Sequence, residues 1–244
     1  MKRAIVIGAT SGIGRALAER LAAEGYRVGV TGRREALLEE LAASRPGSFC
    51  YAAADIMDPA AACAALERLA GELGGMDLCV VSAGTGDLNP GLDYALEEPA
   101  IRTNVVGWTA AVDWAYGRFE ERGGGHLVVI TSVGGLRGGG AAPAYNASKA
   151  YQINYAEGLR QRAAKSGLPL PVTDIRPGFV ATALLRNADY PMLMRPEKVA
   201  ETLFRALECG KRRIVIDHRY ALLVRLWRLI PQGVWERLPI RSRA

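Results

Sequence analysis

Short runs of apolar residues alternate along the chain with longer stretches in which apolar residues recur about every 3.6 positions. The short runs are almost continuously apolar, which is typical of strands in a parallel sheet covered on both faces. One of the longer stretches spaces Ile13, Leu17 and Leu21 four residues apart and predicts a helix soon after the first strand. The predicted strands span residues 4–7, 27–31, 49–53, 77–81, 127–131, 172–175 and 213–216.

This alternation predicts an α/β fold: a Rossmann-like, doubly wound parallel sheet of about seven strands with helices on both faces and right-handed crossovers. The 244 residues, 50% of them hydrophobic and 23% charged, suit one large core. No repeat or low-complexity linker divides the chain. We therefore expect a single domain over residues 1–244, ending in a basic amphipathic extension at about 217–244.

The net charge of +6 is concentrated at the C-terminal end of the chain. Nine basic residues against two acidic ones give the segment from Lys211 onward a charge of +7, which leaves −1 for residues 1–210. A nucleic-acid-binding protein more often spreads its basic residues over a docking surface of the fold. We therefore expect no nucleic-acid partner.

The four cysteines are scattered and the chain has only two histidines, so the sequence predicts neither a metal site nor a disulfide framework. Reduced thiols favour a cytoplasmic protein. The first ten residues combine a charged start with an apolar run, as a signal peptide does. Glycine interrupts that run at once, and a first strand is the better interpretation.

A glycine-rich turn, Gly8-Ala9-Thr10-Ser11-Gly12-Ile13-Gly14, joins the first predicted strand to the first predicted helix. Gly8 permits a tight turn, Gly12 lets the backbone approach a pyrophosphate, and Gly14 allows close packing of helix on strand. The helix N-terminus then offers N–H groups to phosphate oxygens. The pattern predicts dinucleotide binding; a tight turn without a ligand is the alternative.

Ser132, Tyr145 and Lys149 form a candidate catalytic group. Ser132 ends a predicted strand, and Tyr145 and Lys149 are four residues apart on one face of a predicted helix. A tyrosine hydroxyl, with a pKa of about 10, is a poor acid–base catalyst at neutral pH. A nearby ammonium group favours the phenolate, which gives a reason for a lysine beside the tyrosine.

These motifs together resemble the short-chain dehydrogenase/reductase family, in its compact single-domain branch, over about residues 3–216. The resemblance implies an oxidoreductase that interconverts a carbonyl and an alcohol. In that reaction Tyr145 gives or takes the proton at the substrate oxygen and Ser132 holds that oxygen. Lys149 binds the nicotinamide ribose and lowers the pKa of Tyr145, and Asn104 supports a water that links Lys149 to solvent.

The same resemblance implies a set of cofactor contacts. Asp55 and Ile56 correspond to the family's element near the adenine, and Pro177, Gly178 and Thr182 to its motif beside the nicotinamide carboxamide. Two residues depart from the usual pattern: Ile7 stands where threonine is common, and Ser82 stands where asparagine is usual. The expected cofactor-binding residues are Gly8, Thr10, Ser11, Gly12, Ile13, Gly14, Arg33, Asp55, Ile56, Ser82, Ala83, Gly84, Asn104, Tyr145, Lys149, Pro177, Gly178, Val180 and Thr182.

The second predicted strand ends in Gly32-Arg33-Arg34. A site for NAD usually has an acidic residue here, which would repel a 2′-phosphate. Gly32 takes that place, and Arg33 can pair with the phosphate. The sequence therefore predicts NADP(H), with NAD(H) as the second choice; the alternative is that both arginines form a solvated helix start.

The segment 179–195 is apolar and predicts either a cover for a bulky hydrophobic carbonyl or alcohol substrate or a loop packed on its own domain. Beyond it, Leu223, Leu226, Trp227 and Ile230 recur at helical spacing among arginines, which exclude a membrane-spanning helix. Three interpretations stay open for this tail: packing on the domain or on a neighbouring subunit, a lid over the substrate, and peripheral contact with an anionic membrane.

Two other functions fit the same fold: an NADP(H)-binding regulator without turnover, and an epimerase or dehydratase that uses the cofactor transiently. Regulators tend to lose the tyrosine or the lysine, and this chain keeps both. The resemblance also implies a homodimer or homotetramer.

Overall fold

The computed structural model describes residues 2–185 and 190–238. Within them seven strands form one parallel sheet in the order β3-β2-β1-β4-β5-β6-β7. Each strand begins and ends within one residue of its predicted bounds, so the predicted sheet is confirmed. The strands are β1 (Arg3–Ile7), β2 (Arg27–Gly32), β3 (Phe49–Ala53), β4 (Leu78–Val81), β5 (His126–Ile130), β6 (Val172–Arg176) and β7 (Arg213–Val215).

Helices cover both faces of the sheet because successive residues of a strand point to opposite sides. In β1, Ala4 and Val6 belong to the core on one face, whereas Ile5 and Ile7 belong to the core on the other. The first core is completed by α1 (Gly12–Ala23), α2 (Glu35–Ser44), α7 (Pro196–Glu208) and α8 (His218–Leu229), and the second by α3 (Pro59–Leu73), α5 (Trp108–Glu121) and α6 (Pro143–Ser166).

The winding of the sheet reverses between β1 and β4. The chain runs outward from β1 to β3 and then crosses to β4 on the other side of β1. The loops that follow these two neighbouring strands therefore diverge and leave a crevice at their carboxyl ends, which is where doubly wound folds bind ligands.

A π-helical segment, Arg102–Gly107, joins α4 (Tyr94–Ile101) to α5. It contains the fully buried Asn104 and packs closely on the loop after β3, since a Cβ at Gly107 would overlap the main-chain oxygen of Ile56. π turns are rare and frequently occur at functional sites. This segment brings Asn104 behind the carboxyl ends of β4 and β5.

The predicted apolar face of the C-terminal helix needs a correction. Tyr220 and Val224 are the buried residues of α8, and Leu223 and Trp227 of the predicted face pack against the same core. Leu226, assigned to that face from the sequence, is 53% exposed. The helix is rotated because the Tyr220 hydroxyl donates to Pro191 O (2.9 Å) and accepts from Phe179 N (3.1 Å), contacts that apolar periodicity does not register. A short helix, α9 (Gln232–Trp235), follows. Residues 239–244 of the predicted extension, including Arg241 and Arg243, lie outside the described residues.

Within the described residues, no helix combines the length and the apolar character needed to cross a bilayer.

Candidate active site

One cleft of about 2270 Å³ opens at the carboxyl ends of the strands. Its lining brings together nearly all the residues that the sequence singled out. Gly14 and Asn104 do not line it: Gly14 lies inside the glycine turn, and Asn104 lies in the protein interior behind the cleft. The predicted residues in the lining are Gly8, Thr10, Ser11, Gly12, Ile13, Arg33, Asp55, Ile56, Ser82, Ala83, Gly84, Ser132, Tyr145, Lys149, Pro177, Gly178, Val180 and Thr182.

The glycine turn has the close contacts that its sequence predicts. Gly8 has a φ of 90°, and a Cβ there would lie 2.6 Å from Ala83 N, in the loop after β4. A Cβ at Gly14 would overlap the main-chain oxygen of Gly8, so α1 packs this closely on the turn only because residue 14 is glycine. Ser11 occupies the N-cap of α1 but makes no side-chain capping bond. The first N–H groups of α1 therefore form no hydrogen bond with that hydroxyl.

Two arginines stand beside this turn. Arg34 donates to Thr10 Oγ1 and to Ser11 Oγ, both at 2.7 Å, and so brings a guanidinium onto the turn. Arg33 is 67% exposed at its side chain and lies 3.9 Å from the Asp55 carboxylate. Sequence reasoning chose Arg33 for a cofactor phosphate and treated Arg34 only as a helix start. The structure places both in the cleft lining, with Arg34 on the turn itself.

The side chains of Ser132 and Tyr145 lie next to each other, since a Cβ at Gly134 would be 3.4 Å from Ser132 Oγ and 3.6 Å from Tyr145 Cε1. Ser132 begins a 3₁₀ turn after β5, and its oxygen accepts from Gly134 N at 3.0 Å, which fixes the side chain. Tyr145 lies in the first turn of α6 and faces it. Burial raises the pKa of Tyr145 above its usual value, and the Ser132 hydrogen bond opposes that rise. The hydroxyl therefore stays protonated at neutral pH and can serve as an acid.

Lys149 lies one turn further along α6 and is buried. Its Nζ donates to Ile130 O at 3.2 Å and to Gln152 Oε1 at 2.9 Å, and it lies 5.9 Å from the centre of the Tyr145 ring. Burial lowers the pKa of Lys149 to about 8, although the negative charge of Asp174 acts in the opposite direction. The expectation that Lys149 lowers the pKa of Tyr145 stays a prediction: in the protein without cofactor, burial raises that pKa and Ser132 lowers it.

The carboxylate behind Lys149 is itself part of a buried group. Asp174 on β6 is fully buried, accepts from Thr131 Oγ1 at 2.6 Å and pairs with Arg176 at 2.6 Å. A buried carboxylate needs such partners because desolvation disfavours its charge. These contacts hold one negative charge within reach of the lysine.

Asn104 supports the site from the π-helical segment. Its side-chain oxygen accepts from Thr85 N at 2.9 Å, and its amide group donates to Thr85 O at 2.6 Å and to Ser148 Oγ at 2.9 Å. These bonds fix the loop after β4 and the turn of α6 between Tyr145 and Lys149. Its main-chain oxygen accepts from Gln152 Nε2 at 2.9 Å. The expected role of Asn104, support of a water that links Lys149 to solvent, stays a prediction.

The loop after β6, which contains Pro177, Val180 and Thr182, contacts the glycine turn, Met194 and the loop after β5. A Cβ at Gly12 would lie 2.9 Å from Thr182 Cγ2, so Thr182 covers the glycine turn. Val180 is buried and pairs with Met194 by a β-bridge. Pro177 is buried, and its oxygen accepts from Val133 N at 3.1 Å, which ties this loop to the one that carries Ser132.

Aromatic and aliphatic side chains form the remaining wall of the cleft. The Phe179 and Tyr190 rings lie 4.6 Å apart, and the Trp227 and Trp235 rings lie 5.5 Å apart. Leu184, Leu185, Met192 and Leu223 also contribute to this wall. Four residues of the segment that was expected to cover the substrate, 186–189, lie outside the described residues.

The C-terminal helices contact the glycine-rich loop that follows Ser132. Arg137 donates to Ile230 O at 2.6 Å, and its guanidinium lies 5.1 Å from the centre of the Trp235 ring. Trp235 Nε1 donates to Gly138 O at 2.9 Å. Of the three interpretations of the tail, these contacts favour packing on its own domain as a wall of the cleft.

Sequence reasoning missed Arg34, Gln152 and Tyr220 as site residues. Gln152 could have been found, since it follows Tyr145 by seven residues and Lys149 by three and so shares their helix face. Tyr220 and Trp235 carried no local signal, because their contacts are 41 and 97 residues away in the sequence.

Residues 2–191 match the family model described as short chain dehydrogenase. An uncharacterized oxidoreductase of Myxococcus xanthus is 33% identical over 249 residues, which cover 99% of this chain and 98% of the relative. Among solved structures, a short-chain dehydrogenase from Streptomyces avermitilis has a TM-score of 0.82 at 25% identity, over 93% of this chain and 92% of that one.

A second solved structure, an actinorhodin polyketide ketoreductase variant with NADPH, has a TM-score of 0.77 at 25% identity. The superposition covers 88% of this chain and 95% of that chain. Both neighbours share the parallel sheet described above. The chain belongs to the short-chain dehydrogenase/reductase family of NAD(P)-dependent oxidoreductases.

Proposed function

We propose that this protein is an NADPH-dependent reductase of hydrophobic carbonyl compounds, with Tyr145 as the general acid. The observation that carries the proposal is the placement of Tyr145 beside Ser132 and one helical turn from Lys149, in the same cleft that the glycine turn lines. Carbonyl reduction requires a general acid, a second hydrogen-bond donor to the substrate oxygen and a binding site for the cofactor, all in one cleft.

The residues of the cleft fit NADP(H). The cleft is larger than the roughly 300–1000 Å³ of a pocket for one drug-sized ligand, so it has room for a dinucleotide and a substrate together. The N-terminus of α1 faces the cleft through the glycine turn and suits a pyrophosphate. Arg33 and Arg34 supply two cations at the edge of that turn, which favours a cofactor with an additional phosphate.

The chain's own residues would act as follows when NADPH is bound and supplies the hydride. Tyr145 donates its proton to the substrate oxygen as negative charge develops there. Ser132 hydrogen-bonds the same oxygen and holds the carbonyl in register with the phenol. Lys149 presents a positive charge behind the phenol, which stabilises the phenolate that remains after proton transfer. In alcohol oxidation the same residues carry the proton in the opposite direction.

The apolar wall supports a hydrophobic substrate. The cleft lining includes four aromatic rings, those of Phe179, Tyr190, Trp227 and Trp235, and such surfaces bind apolar groups. One structural neighbour is a polyketide ketoreductase, which is consistent with a carbonyl compound as substrate.

The test is a fluorescence titration of the purified protein with NADPH and NADH, followed by a screen of aromatic and aliphatic ketones with NADPH and with Tyr145→Phe as the inactive control. Tight NADPH binding and turnover that the variant loses would support the proposal. Binding without turnover on any ketone or alcohol would favour the regulatory alternative. If neither nucleotide binds, the proposal is withdrawn.

Two further predictions concern partners. Family membership favours a homodimer or homotetramer, which sedimentation analysis would measure. The outer side of α8 leaves Leu222, Leu226 and Leu229 more than half exposed beside Arg225, a combination that suits an anionic bilayer. Sedimentation with phosphatidylglycerol vesicles tests this contact, and binding that persists after all three leucines are replaced by glutamine would contradict it.

A further inference from the structure

Gln152 is a polar side chain in the core of the site. It lies on α6, three residues after Lys149, and is fully buried. A buried amide is costly unless its polar atoms are hydrogen-bonded. Both ends of this amide are bonded, and both partners belong to the candidate catalytic group.

The amide bridges the Asn104 backbone and the Lys149 side chain. Gln152 Nε2 donates to Asn104 O, and Gln152 Oε1 accepts from Lys149 Nζ, each at 2.9 Å. A main-chain carbonyl can only accept, so the nitrogen of the amide must face Asn104 and the oxygen must face the lysine. The bridge therefore has one orientation, in which the lysine is always the donor.

The bridge also determines which acceptors the N–H groups of Lys149 contact. An ammonium group has three N–H donors. Two of them are taken by Ile130 O at 3.2 Å and by Gln152 Oε1 at 2.9 Å. Lys149 also lines the cleft, and a Cβ at Gly84 would lie 3.3 Å from its Nζ. One donor is left for the space in which the candidate cofactor and the phenol lie.

We propose that Gln152 is a positioning residue for Lys149, and that its amide links the lysine to the Asn104 carbonyl. The proposal rests on the proposed function only where it calls Lys149 catalytic. The π-helical geometry at Asn104 is consistent with it, because such a turn is where a side chain can enter the ladder of helix hydrogen bonds. The lysine is thereby anchored by the protein itself.

The charged groups around Lys149 define what removal of the bridge does. Asp174 faces the ammonium from β6, and the Tyr145 phenol faces it from α6. Replacing Gln152 with methionine keeps the volume of the side chain but removes the oxygen that accepts from Nζ. The ammonium then loses one charge-assisted hydrogen bond while Asp174 stays, so the pKa of Lys149 falls.

The chain offers a direct measurement, because it contains only five lysines. In protein labelled with [13Cε]lysine, the Lys149 resonance is assigned with a Lys149→Met variant and followed by NMR from pH 6 to 11 without cofactor. We expect a midpoint of about 8 in the unaltered protein. In Gln152→Met the midpoint falls by about one unit, the loss of one hydrogen bond to a charged group.

Two further variants complete the experiment. Gln161→Met makes the same chemical change at an exposed position of the same helix and leaves the midpoint where it was. Gln152→Glu places a carboxylate beside the ammonium and raises the midpoint, which keeps the test informative if Gln152→Met does not fold by circular dichroism. An unchanged midpoint in Gln152→Met, or a fall in Gln152→Glu, overturns the proposal.

The titration needs neither nucleotide nor substrate, so failure of the proposed reductase activity leaves it intact. Once a ketone substrate is known, Gln152→Met lowers kcat by about tenfold and changes KM for NADPH much less. If the variant changes kcat and the KM for NADPH by the same factor, Gln152 acts only through the structure of the cofactor site. That result would overturn the positioning role.

Discussion

The phenol ring of Tyr220 lies against the α-carbon of Gly178, so that a Cβ at position 178 would overlap the ring carbons. Tyr220 belongs to α8 and Gly178 to the loop after β6 that the family resemblance assigns to the nicotinamide side. The hydroxyl of the same tyrosine bonds Phe179 N and Pro191 O. One aromatic residue therefore joins the C-terminal helix to both ends of the segment that borders the substrate space.

Replacement of Gly178 by alanine should displace Tyr220. The added methyl group has no room beside the ring, and forced overpacking of this kind costs about 2 kcal/mol. For a chain of this size that lowers Tm by roughly 6 °C, measurable by thermal unfolding.

The matched control is Gly158→Ala, because Gly158 lies in α6 with open space at the Cβ position. That change should leave Tm equal or higher, since alanine favours helix. In a double-mutant cycle, Gly178→Ala combined with Tyr220→Ala should be less destabilising than the sum of the single changes. Strict additivity would contradict the contact.

Arg34 should contribute more to NADPH binding than its neighbour. Arg34→Ala removes the guanidinium that reaches Thr10 and Ser11, whereas Arg33 stays near Asp55. We expect the Kd for NADPH to rise about tenfold in Arg34→Ala, the loss of one charge-assisted contact, and the Kd for NADH to stay nearly constant. Arg33→Ala should show the same selectivity with a smaller factor.

Fluorescence titration of each variant with both nucleotides measures this selectivity. Arg45→Ala, at the opposite end of α2, removes the same charge away from the cleft and serves as the control. Equal losses for NADPH and NADH in Arg34→Ala would contradict the assignment.

Carbonyl reduction should decline as the pH rises through about 8. Reduction needs a proton on Tyr145, whose pKa burial raises, and positive charge on Lys149, whose pKa burial lowers to about 8. Below pH 8 both groups are protonated and kcat/KM is constant. Above it the lysine loses its charge first, and the rate falls about tenfold per pH unit.

The pH profile of kcat/KM with NADPH measures this decline. In Lys149→Arg the guanidinium stays charged up to pH 10 and beyond, so the kcat/KM that this variant retains should not fall near pH 8. A plateau that extends to pH 10 in the unaltered protein would show that Lys149 does not lose its proton there.

Trp235 should control access for large substrates. Trp235→Ala removes a ring of the cleft wall and its bond to Gly138 O. We expect KM for ketones with a bulky aromatic group to rise about tenfold, a loss of about 1.4 kcal/mol, and KM for small ketones to change little. Trp114→Ala is the control, since Trp114 contacts Glu67 on the helices of the opposite face. A uniform change for all ketones would contradict a role in substrate binding.

Much of this protein could be predicted from the sequence because the signals are local. The seven strands follow from runs of apolar residues, and the glycine turn follows from three glycines within seven positions. Tyr145 and Lys149 share a helix face by spacing alone. The position of the Gln152 side chain, by contrast, depends on the main-chain carbonyl of Asn104, which lies 48 residues away in a π-helical segment. The periodicity of apolar residues does not predict such a contact.

The sequence by itself determined the fold class, the position of each strand and the residues of the candidate catalytic group, since hydrophobic periodicity and residue spacing act over a few positions. Only the tertiary structure decided which arginine lies on the glycine turn, which side of α8 is buried and what holds Lys149. Those outcomes depend on polar contacts between segments distant in the chain. These contacts stabilise the fold only when donor and acceptor have the right distance and orientation, and the sheet and helices must pack before they do.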